Sequence, residues 1–310
     1  MFRRILLWVS ENHYLNNKLP KMGFVKRARS KFMPGETLEE ALQAASELEK
    51  QDTSTVFTLL GESVEDLDES RGVVDHYKTV LREVRNRNLT SEISLKLTQI
   101  GVDLGSGIAS DNLREILELA QRLNLFVWID IEGSYYTDTT IDIYKGVAGK
   151  YSNVGICLQA YLYRTTDDIQ GMLALNPAIR LVKGAYLESE EIAFPQKKDV
   201  DRNYLKLADE LLVARRRNEV RAVFATHDSK IIDQIMNTIV LHEDLNLGDL
   251  EVHMLYGISK HVQESLLQSG VKVAVLIAYG SSWFPWYMRR LAERPANLWF
   301  LLSRMLAGGP

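Results

Sequence analysis

Cysteine is almost absent from this chain of 310 residues: Cys157 stands alone. That excludes an internal disulfide framework and any multi-cysteine metal site, and it fits a reducing compartment. Long apolar runs are missing too. Near the start, "FRRILLWV" sets two arginines before Ile5 to Val9, as a secretory signal begins, but the run is too short for a signal core or a membrane span. Basic charge is not in excess, since 37 Lys and Arg against 41 Asp and Glu leave a formal charge of -4. A general nucleic-acid binder is therefore not expected. There is no Gly-x-Ser-x-Gly elbow, and Gly105-Ser106-Gly107 lacks the dinucleotide fingerprint, so neither an esterase-type nucleophile nor a Rossmann site is supported.

No Pro/Gly-rich linker, low-complexity tract or close repeat divides the chain, whose length suits one barrel-sized domain or two smaller ones. An amphipathic N-terminal arm is expected, with a basic stretch from Lys21 to Lys31. Packing on the main body and contact with a membrane surface are both open to it. Thr37 followed by Glu40 forms a capping box that opens a helix with Leu38, Ala41, Leu42 and Leu48 on its apolar side. Beyond it, β-branched and aromatic runs recur at 54–63, 92–101, 126–134, 154–161, 179–186, 221–228, 250–257 and 271–280. Helical patterns separate them, such as Leu113, Ile116, Leu117, Ala120 and Leu123, or Ile231, Ile232, Ile235 and Ile239. Strict alternation implies a parallel sheet, and eight units predict an α/β fold of the closed (β/α)8 TIM-barrel type over 51–310, with the arm as 1–50.

The strands end in residues a core would not choose: Glu62, Lys96, Asp130, Glu132, Gln159, Lys183, Tyr186 and the run Thr226 to Asp228. Strand carboxyl ends form the active face of such a barrel, so these groups are expected at one mouth. Each has a plainer reading. Lys96 points inward and needs a partner; Asp130, level with it on the next strand, is the expected one, either as a structural bridge or as a catalytic pair. His227, Asp228, His253 and His261 lack the spacing of known metal sites, so no metal is expected. Glu62 could follow the turn at Gly61 or cap a helix. In "YMRRLAERPAN" the adjacent Arg289 and Arg290 point about 100° apart on a helix, and Glu293 can reach one of them. The other needs a different task.

Four segments taken together, "RLVKGAY", "FATHD", "EVHMLYG" and "YMRRLAERPAN", resemble the proline dehydrogenase family in its short, single-function bacterial form. The similarity runs from the first strand to the C-terminus. It implies a distorted (β/α)8 barrel that binds FAD at its strand ends, oxidises L-proline to Δ1-pyrroline-5-carboxylate and passes electrons to a membrane quinone. By that resemblance Arg289 and Arg290 grip the substrate carboxylate, Glu293 holds the arginine fork, and Glu62 gates the pocket. Lys96 and Asp130 stand beside substrate and flavin, and with the two arginines form the catalytic set. Tyr186, Leu255, Leu276 and Tyr279 belong to the substrate pocket. Gln159, Arg180, Lys183, Gly184, Ala185, Thr226, His227 and Asp228 match cofactor positions, shared by Asp130, Tyr186 and Leu255. A cytoplasmic protein with peripheral contact at the inner face of the membrane is the implied location.

Two departures stand out. Leu276 occupies the place where the family pattern has a pocket tyrosine, which admits a related cyclic substrate such as hydroxyproline. His253 stands where glutamine is usual, with no reading of its own. The residues also admit a Schiff-base lyase built on Lys96 or Lys183, or a barrel that has lost catalysis.

Overall fold

The structure is a computed structural model that describes residues 29–61, 63–241 and 245–293. Helix α1 (Leu38–Glu49) begins at the expected capping box, with Thr37 Oγ1 accepting from the Glu40 amide and the Glu40 carboxylate accepting from the Thr37 amide. Its buried Ala41, Leu42 and Ala45 lie in the same apolar cluster as strand residues, so this helix joins the outer wall of the main body. Strand β1 (Ser54–Leu59) and helix α2 (Leu67–Asn86) follow, then β2 (Ser91–Leu95), α3 (Ser106–Arg122), β3 (Val127–Ile129) and α4 (Thr137–Ala148). The second half runs β4 (Val154–Gln159), α5 (Thr165–Gln170), β5 (Ala178–Val182), α6 (Lys197–Arg216), β6 (Arg221–Ala225), α7 (Ser229–Val240), β7 (Glu251–Leu255), α8 (Lys260–Gln268), β8 (Lys272–Tyr279) and α9 (Trp283–Glu293).

All eight strands are parallel and close into a barrel in sequence order, β8 pairing back on β1. Most of the predicted runs outlast the strands. β1, β3 and β5 stop at Leu59, Ile129 and Val182, and the polar tails beyond them are loop. A strand of a closed sheet ends where its neighbours stop supplying hydrogen bonds, which composition alone does not mark.

Side-chain alternation sorts the strands into two cores. Phe57, Ile93, Val127, Ile156, Leu181 and Ile277 face outward and pack with helix residues such as Val74, Leu81, Leu113 and Ile235. Val56, Trp128, Cys157, Ala178, Val223 and Ala274 face inward and fill the barrel. Trp128 is fully buried there, and Gly155 on the neighbouring strand gives it room: a Cβ on that glycine would stand 2.5 Å from the indole. The indole is wedged in the barrel interior and cannot retreat. Gly155→Ala should therefore lower the unfolding free energy by about 1–3 kcal/mol, the usual effect of overpacking, read from urea midpoints. An unchanged midpoint would mean that Trp128 has freedom to move aside.

Candidate functional site

The strand ends bring most of the expected residues to one rim. Lys96 follows β2, Asp130 follows β3, Gln159 ends β4, Lys183 follows β5, Thr226 to Asp228 follow β6, and Leu255 ends β7. Helix α9 packs Trp283, Phe284, Tyr287 and Met288 against Leu60 and Ala278, with Leu255 and Leu276 touching the same cluster. Leu276 also meets the barrel interior, so it stands between the two. Arg289 is buried, its guanidinium 5.3 Å from the centre of the Tyr186 ring. Arg290 is half-buried, 5.9 Å from the Trp286 ring centre. From the other side, Arg29 lies 5.4 Å from the Trp283 ring and Phe32 5.6 Å from Tyr287, bracing the helix. The side chain of Glu293, the gate Glu62 and residues 1–28 of the arm lie outside the described residues.

The loop that carries Tyr186 is latched by Glu188, which accepts from the Ser134 amide at 2.7 Å, the Ser134 hydroxyl at 2.5 Å and the Tyr161 hydroxyl at 3.3 Å. Gly184 makes the turn at φ +113°, where a Cβ would strike the Tyr161 ring. Ala185 follows it, partly exposed. Burial, with Glu188 beside it, pushes the Tyr161 hydroxyl well above its ordinary pKa, so it remains a donor.

Asp130 does not pair with Lys96. Its carboxylate forms an ion pair with Arg180, which reaches across from β5, and Oδ1 also accepts from Ser94 Oγ at 2.8 Å. Arg180 further donates to Cys157 Sγ at 2.9 Å and Ser94 Oγ at 2.6 Å. A planar guanidinium satisfies three acceptors at once, which a lysine point charge cannot do. Burial raises the Cys157 thiol to about 12, so it stays protonated beside the pair. Lys96 is buried, its amide bonded to Gln99 Oε1 at 3.2 Å, and its ammonium forms no ion pair among the described residues.

Tyr279 is the second correction. Alternation along β8 turns it outward, where its hydroxyl shares a 2.8 Å hydrogen bond with His76 of α2 and its ring meets Phe57 at 6.4 Å. It lies in the outer core, on the face of β8 turned away from the barrel interior. Lys183 is tied to Asp201 at 2.6 Å and Asp228 at 2.9 Å, joining β5 to α6 and the β6 loop. That double ion pair is unlike the apolar pocket a Schiff-base lysine requires. Thr226 Oγ1 accepts from the Asp228 amide at 3.2 Å, and His227 Nε2 accepts from the Leu255 amide at 3.2 Å.

Sequence reasoning missed the charged floor of the barrel. Glu92, Glu251 and His253 offer ligand atoms close enough for one cation, but the Arg221 guanidinium already bridges the carboxylates, at 2.7 Å and 2.5 Å. Inward alternation of Glu92 and Glu251 was the available signal. A cavity of about 610 Å³ opens at that end, bordered by Ser54, Arg221, Glu251 and Lys272. It lies at the strand starts, opposite the rim, where barrel residues serve stability.

With this geometry established, likeness to known proteins is informative. The family model described as proline dehydrogenase matches residues 41–302. Proline dehydrogenase 2 of Bacillus subtilis (strain 168) is 36% identical over 303 residues, covering 98% of both chains. Proline dehydrogenase of Deinococcus radiodurans is 32% identical over 313 residues, covering 99% of both. Among solved structures, proline utilization A from Bdellovibrio bacteriovorus, inactivated by N-propargylglycine, superposes with a TM-score of 0.81 at 22% identity, covering all of this chain and 38% of the other. That structural likeness speaks for the barrel. The near-full-length sequence matches go further, and by them the chain belongs to the proline dehydrogenase family of oxidoreductases.

Proposed function

We propose that the chain oxidises L-proline to Δ1-pyrroline-5-carboxylate with bound FAD and delivers the electrons to a membrane quinone. The observation that carries the reading is a pair of arginines on α9, a helix packed on Leu60, Ala278 and Leu255, in a barrel whose interior holds the Asp130–Arg180 pair. One cationic group holds a carboxylate; the other anchors the redox end.

The donor set fits a flavin. Gln159 is buried and its Oε1 has no hydrogen-bond partner among the described residues, an acceptor in need of a ring N–H. Arg180 offers a cation beside it on the neighbouring strand. Gln159, Arg180, Thr226 and His227 would hold the cofactor, with Gly184 and Ala185 lining its approach. Lys183 and Asp228 already satisfy each other and set the loops around it. Flavin, when bound, supplies the two-electron acceptor for the hydride that leaves the ring carbon next to nitrogen.

The chain's own residues do the rest. Arg289 and Arg290 bind the carboxylate, and planar forks from two directions fix the ring in orientation. Leu255 and Leu276 give the ring an apolar seat, and Tyr186 supports the Arg289 guanidinium with its ring. Glu62 would gate this pocket and Glu293 would hold the fork. Hydride departure requires a neutral amine, so a base must take the ammonium proton. Asp130 is our candidate for that role, a reading supported by Ser94, Cys157 and Arg180 all addressing its Oδ1, which leaves Oδ2 as an acceptor. Lys96 follows the neighbouring strand as a second charge at the mouth. The N-terminal arm, with "FRRILLW", would bring the barrel to the bilayer surface where quinone resides, since no helix among the described residues is long and apolar enough to cross a membrane.

Three outcomes are expected. The purified protein shows a flavin absorption band that bleaches when L-proline is added without oxygen; a folded protein that takes up no FAD would end the reading. Arg289→Lys raises KM for proline by about tenfold or more while keeping the flavin, because a bidentate grip becomes a point contact. An unmoved KM would remove Arg289 from the carboxylate site. Asp130→Ala slows anaerobic flavin reduction by about 10²- to 10⁴-fold, the usual worth of a positioned base. If the reduction rate holds, the amine proton goes elsewhere.

A further inference from the structure

Alternation along β7 turns Glu251, His253 and Leu255 to one side, and His253 is buried inside the barrel with 3% of its surface exposed. Its two ring nitrogens meet opposite partners. Nδ1 lies 3.5 Å from Arg180 Nη1, and Nε2 lies 3.1 Å from Glu251 Oε1. Arginine has no lone pair to give, so Nδ1 must accept, and the proton sits on Nε2 and is donated to Glu251. A proton on Nδ1 would point at a guanidinium.

The surroundings complete the picture. Arg180 faces His253 from β5, Arg221 and Glu92 bracket Glu251 from β6 and β2, and the Trp128 indole meets the imidazole edge-on at 5.8 Å. Both guanidiniums lie against that indole, Arg180 at 5.0 Å and Arg221 at 5.2 Å from its centre. An ordered column thus runs up the barrel axis from Glu92, through Arg221, Glu251 and His253, to Arg180 and Asp130. The hydrogen bonds that Arg180 makes elsewhere go to Ser94, Asp130 and Cys157, on or just after β2, β3 and β4. From the far side of the barrel, His253 supplies the hold.

We propose that His253 is a positioning residue of the proline oxidation site, a neutral imidazole that ties the guanidinium of Arg180 to the charged floor and so fixes the direction Arg180 presents to the flavin and to Asp130. This rests on the flavin-dependent reading above. His253→Leu keeps the volume but loses both hydrogen bonds, and the guanidinium is then held from one side only. His253→Gln keeps an acceptor for Arg180 and a donor for Glu251.

The test combines two readouts on the full chain. Nitrogen-15 NMR of labelled histidine, with or without FAD, should show His253 as the Nε2–H tautomer; an Nδ1–H or doubly protonated ring would overturn the proposal. In the FAD-loaded protein, His253→Leu should shift the flavin absorption maxima and midpoint potential. It should also lower kcat by about ten- to a hundredfold, the scale of a slightly misplaced group, with KM for proline within about twofold because the carboxylate is held on α9. His253→Gln should restore the spectrum, the potential and most of kcat. A leucine variant that loses thermal stability but keeps the wild-type flavin spectrum, potential and kcat would make His253 a packing residue and sink the idea. Wild-type protein that binds no FAD would instead bring down the flavin reading itself, and the tautomer measurement tells these two failures apart.

Discussion

Everything at the mouth of this barrel depends on one buried cation. Arg180 is 2% exposed, and an uncompensated guanidinium in that position would cost several kcal/mol. Its compensation is spread over four strands: Ser94 on β2, Asp130 after β3, Cys157 on β4 and His253 on β7. Closure of the sheet brings those four together around one axis. The same closure that removes sheet edges therefore creates a site where a fixed charge has little freedom to reorient.

Such an interior does not maximise stability. Apolar groups of similar volume would fill the axis at no loss, and often with gain, whereas removing one charged partner leaves the other stranded. The barrel keeps charges at both ends of Trp128 all the same. At the floor, Glu92, Glu251 and Arg221 neutralise one another close to the strand starts, and Trp128 Nε1 donates to Glu92 at 2.5 Å. At the mouth, Asp130 and Arg180 do the same. Trp128 and His253 are the common wall between these clusters, so the packing of the interior and the orientation of the site are one problem.

Much of this is legible in the chain. A period-two pattern inside a period-3.6 pattern, repeated eight times, admits few architectures, and the polar tails of the strands mark the active face. Inward alternation of Glu92 and Glu251 carries a signal of the charged floor as well, one that the sequence reading missed. Two things are beyond a one-dimensional reading. Sequence places the partner of Asp130 on the adjacent strand, at Lys96, whereas Arg180 crosses the barrel to reach it; contacts across an axis depend on barrel radius and side-chain length, neither of which a register predicts. Tyr279 is assigned to the pocket by the family resemblance, yet two-fold alternation from Leu276 puts it on the outer face. Parity along the strand, and not nearness in sequence, decides which side a residue serves.

Helix α9 sets its two arginines apart from the charged column of the barrel interior. Inside the barrel Arg180 is buried and engaged by Ser94, Asp130, Cys157 and His253. A further cationic group comes from a helix laid over the end of β8, which needs a packing surface of its own beside Leu276. The aromatic face of α9 provides it: Trp283, Phe284 and Tyr287 rest on Leu60 and Ala278, while Arg289 turns toward Tyr186. Arg29 and Phe32 press on the same aromatic residues, so the chain segment before the barrel braces the helix that carries the arginines. The two adjacent arginines leave the helix in different directions, Arg289 buried against Tyr186 and Arg290 leaning on Trp286.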